Sequence, residues 1–158
     1  MANLLTNPTF LKNILFSNSP WLKDPKRLPE VKPFKREAFF RVKKQMGDPH
    51  KMAILIKGPR RVGKTEIQKQ LIVDLIERDI SPQKILYLSL DDAQIQAENP
   101  KDRWRIVNDL LNQWATLSGV NSFDEINTPS FCFLDEVQAV DNWAQLVKIR
   151  EMRVCLLT

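Results

Sequence analysis

Eight residues, Gly58–Thr65, have the types and spacing of a phosphate-binding loop. Their sequence, GPRRVGKT, fits the pattern G-x-x-x-x-G-K-[ST], and it follows the short apolar run MAILIK and precedes an amphipathic helical pattern. Glycines let the backbone curl so that N–H groups face a polyphosphate, while the Lys64 ammonium reaches the β- and γ-phosphates and the Thr65 hydroxyl holds Mg²⁺. The alternative, a glycine-proline turn before a basic helix, leaves the order of strand, loop and helix unexplained.

The predicted nucleotide-binding residues extend one position beyond this loop. A helix that begins at Gly63 or Lys64 adds the positive end of its dipole to the same anion site. The paired arginines occupy variable loop positions, where contact with phosphate and simple solvation are both open interpretations. The full set is Gly58, Pro59, Arg60, Arg61, Val62, Gly63, Lys64, Thr65 and Glu66.

An acidic pair, Asp135 and Glu136, ends the apolar run SFCFLDE at 130–136. Ligands of open α/β sheets bind at the carboxyl ends of the strands. We expect Asp135 to hold Mg²⁺ opposite Thr65, and Glu136 to orient and deprotonate an attacking water. The predicted catalytic residues are Glu136, as this base, and Lys64, which contacts the β- and γ-phosphates. The two acidic side chains point in opposite directions if the strand geometry continues. A charged strand exit into solvent is the alternative.

The elements that must position these residues alternate along the chain. Apolar runs predict strands at 52–57, 84–90, 130–136 and 154–158, and helical patterns cover 8–16, 33–46, 64–78, 99–117 and 141–152. Strands with intervening helices predict an α/β fold with a parallel sheet covered on both faces. We expect residues 1–32 to form an irregular segment with an extended, proline-rich tether over 17–33, and residues 33–158 to form the core.

Side-chain periodicity predicts which helix faces are buried. The predicted stripes are Phe34, Ala38, Val42 and Met46; then Ile67, Leu71, Leu75 and Ile76; then Trp104, Val107, Leu110, Leu111, Trp114 and Leu117. Trp21 is expected to dock the tether onto the core. Asp91 and Asp92 follow the second strand, where an ordinary solvated turn is favoured over a ligand-facing loop.

Size and composition narrow the class of protein. With 158 residues and 43% hydrophobic content, the chain can bury one sizeable core. No apolar run approaches the length of a membrane span, and the N-terminus does not resemble a signal peptide. Cys132 and Cys155 fall in apolar runs, which favours buried thiols in a reducing compartment, and His50 is the only histidine. These features predict a cytoplasmic protein with no membrane contact.

The net charge is +5, and the charged residues are unevenly distributed along the chain. Residues 1–64 hold 15 Lys and Arg against 4 Asp and Glu, whereas residues 65–158 hold 9 against 15. Part of the basic excess surrounds the phosphate-binding loop. The remainder, concentrated in Lys35–Lys44, is compatible with nucleic-acid binding or with a solvated basic face.

Together, GPRRVGKT, FLDEVQ and the later Trp143 resemble the prokaryotic and archaeal AAA-type ATPases over residues 36–158. The resemblance implies an ATP-binding P-loop fold with strand order 5-1-4-3-2. It also implies phosphate and Mg²⁺ binding by Lys64 and Thr65, Mg²⁺ binding by Asp135 and a catalytic base at Glu136. Gln138 matches a glutamine of the family, and the residues suggest no role for it.

Compared with that family, the chain stops at Thr158, where a polar sensor of the γ-phosphate would begin. We therefore expect a truncated ATPase core without its fifth strand, and hydrolysis only if residues beyond Thr158 complete the site. Two alternatives stay open: a module whose ATP or ADP occupancy switches contact with DNA or a protein partner, and a fragment that does not fold stably. An uncovered first strand at 52–57 would also favour self-association.

Overall fold

A four-stranded parallel sheet lies at the centre of the computed structural model, which describes residues 7–48, 53–122, 130–148 and 152–157. The strands are β1 (Ala53–Ile56), β2 (Ile85–Ser89), β3 (Ser130–Asp135) and β4 (Met152–Leu157). Their order is β1-β4-β3-β2, so β4 lies between β1 and β3, as the strand order implied by the family resemblance predicts for 154–158. The mixed helix and strand architecture agrees with the predicted α/β class, and the complete five-strand order stays a prediction.

The helices are α1 (Pro8–Asn18), α2 (Glu37–Met46), α3 (Lys64–Glu77), α4 (Ala93–Gln96) and α5 (Arg103–Leu117). Asn7 caps α1 by accepting a hydrogen bond from the Thr9 amide, and proline occupies the first helical position, where the predicted helical pattern begins. At the end of α5, Gly119 takes the left-handed conformation with φ of 89°. No described helix is long and apolar enough to cross a lipid bilayer.

The core confirms most residues of the three predicted helix faces and corrects two of them, Phe34 and Trp104. Phe34 is 74% exposed because it precedes α2, and Phe39 is buried beside Val42 and Met46 instead. Trp104 is 37% exposed in the first turn of α5, where the buried position is taken by Ile106. The helix predicted for 141–152 is a 3₁₀ helix, Trp143–Lys148, and α4 was not predicted.

The N-terminal segment packs into the same core instead of forming only a tether. Residues Pro20–Leu22 form a 3₁₀ helix, and Trp21 is 2% exposed, in agreement with the docking role expected for it. The Trp21 indole N–H donates to the Ile85 carbonyl over 2.8 Å. The boundary drawn at residue 32 stays a prediction.

Side chains of this segment occupy the outer edge of β2. The Ser19 hydroxyl donates to the Tyr87 carbonyl (2.7 Å) and accepts from the Tyr87 amide (2.9 Å), while the Asn18 side chain accepts from the Ser89 amide (3.0 Å). Polar side chains thus satisfy backbone groups that a neighbouring strand would otherwise pair. Residues 18–21 therefore cover β2, at the opposite end of the sheet from β1.

Several expectations concern positions outside the described part. Met52, His50 and Thr158 lie outside the described residues, and the side chain of Cys155 is likewise not described. Cys132 is buried in β3, as predicted.

Candidate functional site

The phosphate-binding loop connects β1 to α3, as its sequence predicts. Gly63 precedes α3 with φ of 88°, a conformation that favours glycine, and Arg61 is also left-handed with φ of 64°. Gly58 has no positive φ, and a methyl group there would meet the side chains of Val62 and Lys64 at ordinary contact distances of 3.5 and 3.8 Å. The conformational requirement for glycine therefore falls on Gly63.

The Lys64 side chain is folded against the loop that precedes it. Its ammonium donates to the carbonyls of Gly58 (2.8 Å) and Pro59 (2.7 Å), and the residue is 9% exposed. The lysine charge is thereby held inside the curve of the loop, at the N-terminus of a 14-residue helix.

A cleft of about 460 Å³ opens in front of this loop. Its lining combines the cationic loop residues with two carboxylates from the ends of β2 and β3, and consists of Arg60, Arg61, Gly63, Lys64, Thr65, Asp91 and Glu136. Pockets of this size hold small-molecule ligands. Asp91, for which a solvated turn was favoured, is exposed and also faces this cleft.

Not every residue of the predicted nucleotide-binding set lines the cleft. The Glu66 carboxylate accepts a hydrogen bond from the Lys32 amide, so its described partner belongs to the segment before α2. Gly58 and Pro59 hold the Lys64 ammonium through their carbonyls, and Val62 is 37% exposed. Of the predicted set, Arg60, Arg61, Gly63, Lys64 and Thr65 line the cleft.

Thr65 and Asp135 meet at the carboxyl end of β3. The Thr65 hydroxyl donates to Asp135 Oδ2 over 2.6 Å, and the Glu136 amide donates to Asp135 Oδ1 over 2.9 Å. Asp135 is 4% exposed. A hydroxyl and a carboxylate so close together form the oxygen-rich donor set that Mg²⁺ prefers when phosphates complete its coordination.

The backbone changes conformation between Asp135 and Glu136. The strand ends at Asp135, and Glu136 takes a left-handed φ of 51° that starts a 3₁₀ turn, Val137–Ala139. Non-glycine residues with positive φ are uncommon and cluster at functional sites. The Glu136 side chain lines the cleft, while that of Asp135 contacts Thr65 beneath it. The predicted divergence of the two carboxylates is thus produced by this turn instead of by a continuing strand.

Three contacts of this site were not predicted. The Gln138 amide donates to the Glu136 carboxylate, which gives the glutamine a position beside the proposed base. The Arg36 guanidinium donates to the Val62 carbonyl over 2.7 Å and lies against Gly63. The Tyr87 hydroxyl donates to Asp135 Oδ2 over 3.1 Å. A lone tyrosine two residues before the end of an apolar strand was the available sequence signal for the last of these.

Tyr87 is a permanent donor in this position. Burial raises the pKa of the Tyr87 hydroxyl far above its ordinary value, and the negative charge of Asp135 raises that pKa further. The hydroxyl therefore stays protonated at neutral pH and donates a hydrogen bond to the carboxylate.

Comparison with known protein families covers the part of the chain that holds these residues. A family model described as an AAA domain matches residues 50–153, which include both the phosphate-binding loop and the acidic end of β3. No curated protein matches the chain.

Proposed function

The chain belongs to the AAA domain family, and from this premise we propose that it binds ATP and ADP with Mg²⁺ and hydrolyses ATP in the cleft between the phosphate-binding loop and β3. The observation that supports the proposal most strongly is the 2.6 Å hydrogen bond from Thr65 to Asp135. It joins the loop hydroxyl and the strand-end carboxylate that the motif chemistry requires at one metal.

Phosphate binding would use the loop and the residues around it. Arg60, Arg61 and Lys64 give the cleft a positive side, and the amides at the start of α3 favour an anion there. Movement of the Lys64 ammonium from the carbonyls of Gly58 and Pro59 to the phosphates would exchange neutral acceptors for charged ones.

Thr65 and Asp135 would hold the Mg²⁺ ion. When bound, the ion would neutralise phosphate charge as it develops during the transfer. Among the described residues, no group of three or more His, Cys, Asp or Glu is placed to hold a metal alone. In phosphoryl-transfer sites Mg²⁺ combines one or two carboxylates with substrate phosphates and water, and Asp135 would supply one such carboxylate.

Glu136 would orient and deprotonate the attacking water. It faces the cleft, and the Gln138 amide on one carboxylate oxygen would fix its direction while leaving the other oxygen for the water. Asp91 faces the same cleft from the end of β2 and would exclude a second anion from that side.

A second candidate is a module that binds nucleotide with little turnover and contacts DNA or a protein partner. Its DNA-binding form depends on the basic residues of Lys35–Lys44. In the structure, Arg36 donates to Val62, Lys43 pairs with Asp74 over 2.6 Å, and the Lys35 ammonium lies 4.7 Å from the centre of the Phe39 ring. The Lys43–Asp74 pair neutralises one of these positive charges, and the other two contacts hold Arg36 and Lys35 against the protein itself, so we favour the ATPase.

Single-turnover hydrolysis of ATP, measured beside equilibrium binding of ATP and ADP, separates the two candidates. Binding with hydrolysis that depends on Mg²⁺ supports the ATPase, and binding without hydrolysis supports the nucleotide-dependent module. Absence of nucleotide binding by a chain that melts cooperatively would refute both.

We also propose the strand order and the domain boundary that surround the site. The family order 5-1-4-3-2 would place a further strand beside β1, and a core beginning at residue 33 would carry all of the nucleotide contacts. A cytoplasmic location suits an enzyme that uses ATP.

A further inference from the structure

We infer that Tyr87 is a positioning residue that orients the Asp135 carboxylate and thereby sets the magnesium affinity of the nucleotide site. The inference rests on the proposed function. It gives a role to a side chain that belongs neither to the phosphate-binding loop nor to the acidic pair.

The geometry places Tyr87 within reach of the carboxylate from a neighbouring strand. β2 and β3 are parallel neighbours in which Tyr87 is opposite Phe133 and Ser89 is opposite Asp135. The tyrosine side chain spans this two-residue offset, and its hydroxyl meets Asp135 Oδ2 at 3.1 Å.

Asp135 accepts hydrogen bonds from three donors, two of which belong to other elements. Thr65 of α3 and Tyr87 of β2 both donate to Oδ2, and the Glu136 amide donates to Oδ1. Donors on both oxygens fix the plane of the carboxylate as well as its position. Without the tyrosine hydroxyl, Oδ2 would keep, among the described donors, only the bond from Thr65, a residue that must also serve the metal.

Orientation of this carboxylate matters because Mg²⁺ demands nearly octahedral coordination. Groups that hold a metal ligand in place commonly change metal affinity by 10- to 100-fold when they are removed. Tyr87 has the required rigidity because Ser19 bonds both its amide and its carbonyl. Its position is therefore set independently of the metal.

The first test compares Tyr87→Phe with Ser118→Ala. The first variant removes only the hydroxyl from the site. The second removes a hydroxyl at the end of α5, where Ser118 donates to Gln83 and Trp114, remote from the site. Dissociation constants for ADP are measured by titration calorimetry, once with Mg²⁺ and once with EDTA.

Tyr87→Phe should weaken ADP binding about tenfold in Mg²⁺ and leave it unchanged in EDTA. Ser118→Ala should match the wild type under both conditions. A Tyr87→Phe variant that keeps the wild-type effect of Mg²⁺ would overturn the inference while leaving the proposed function intact. If the wild type itself binds no ADP, the proposed function fails and this inference fails with it.

A second measurement needs no variant of Tyr87. Because Tyr87 is the only tyrosine of the chain, labelling tyrosine with ¹³C at the ring carbon that bears the hydroxyl gives one resonance. Its chemical shift should change when Mg²⁺ is added to the ADP complex, and also in Asp135→Ala. A resonance that is the same in wild type and in a folded Asp135→Ala would show that the hydroxyl does not contact the carboxylate.

Discussion

The Thr65 hydroxyl donates a 2.6 Å hydrogen bond to Asp135 across 70 positions of sequence. The contact forms because α3 starts from the loop after β1, and β3 ends at the same edge of the parallel sheet. Two residues from separate motifs thus become parts of one site.

Lys64→Ala should weaken binding of ADP and ATP by about 10- to 100-fold, because hydrogen bonds to charged groups contribute about 1.5–3 kcal/mol. Titration calorimetry measures the change. Lys69→Ala is the matched control, since Lys69 lies on the same helix but lines a different cleft, beside Trp21. Equal affinity of wild type and Lys64→Ala would show that the loop is not the phosphate site.

Asp135→Asn and Glu136→Gln should separate metal binding from catalysis. Glu136→Gln keeps the shape of the side chain but cannot accept the proton, so nucleotide affinity should persist while hydrolysis falls by about 100- to 10,000-fold. Asp135→Asn removes the negative charge of a carboxylate that accepts three hydrogen bonds. Nucleotide binding should therefore depend less on Mg²⁺ in this variant.

The two variants are compared in the same pair of assays, calorimetry over a range of Mg²⁺ concentrations and single-turnover hydrolysis. If they behaved alike in both assays, the division of labour between the two carboxylates would have to be abandoned.

Arg36→Ala should loosen the phosphate-binding loop. Arg36 donates to the Val62 carbonyl over 2.7 Å, and its loss should cost about 1 kcal/mol of loop stability and several-fold in nucleotide affinity. Hydrogen exchange of the loop amides and calorimetry report the two effects. Arg41→Ala is the control, because Arg41 is 75% exposed at its side chain and its nearest acidic group, on Glu37, is 3.8 Å away. Identical exchange in the two variants would argue against a role for Arg36.

Removal of residues 1–32 should increase aggregation through the outer edge of β2, which Ser19 and Trp21 otherwise occupy. Light scattering and size-exclusion chromatography measure the effect. Unchanged behaviour of the shortened chain would contradict a covering role for this segment.

The first strand offers a different route to self-association. Within the described residues β1 pairs with β4 alone, and Leu55 is 40% exposed. Leu55→Lys should reduce self-association of the full chain, which would occur through β1. It should not reduce aggregation of the shortened chain, which would occur through β2 at the opposite edge of the sheet. Rescue of both by Leu55→Lys would place all association at β1.

Local spacing was enough to predict that residues 58–65 connect a strand to a helix, that an apolar strand ends at Asp135, and where the four strands lie along the chain. The loop requires particular residue types at fixed positions, and those positions are neighbours in sequence. The buried face of α3 could likewise be predicted from periodicity, because Ile67, Leu71 and Leu75 repeat within one regular helix. Phe34 was assigned wrongly because periodicity does not give the residue at which a helix begins, and α2 begins at Glu37.

The tertiary structure alone decided which distant side chains join the site. Tyr87 reaches Asp135 only because β2 and β3 are adjacent in a particular register, and Arg36 reaches Val62 only because the segment before α2 crosses the start of α3. The placement of Ser19 and Trp21 on β2 is of the same kind. Such contacts depend on how packed elements lie relative to one another, whereas a sequence motif records only the residues that must follow one another along the chain.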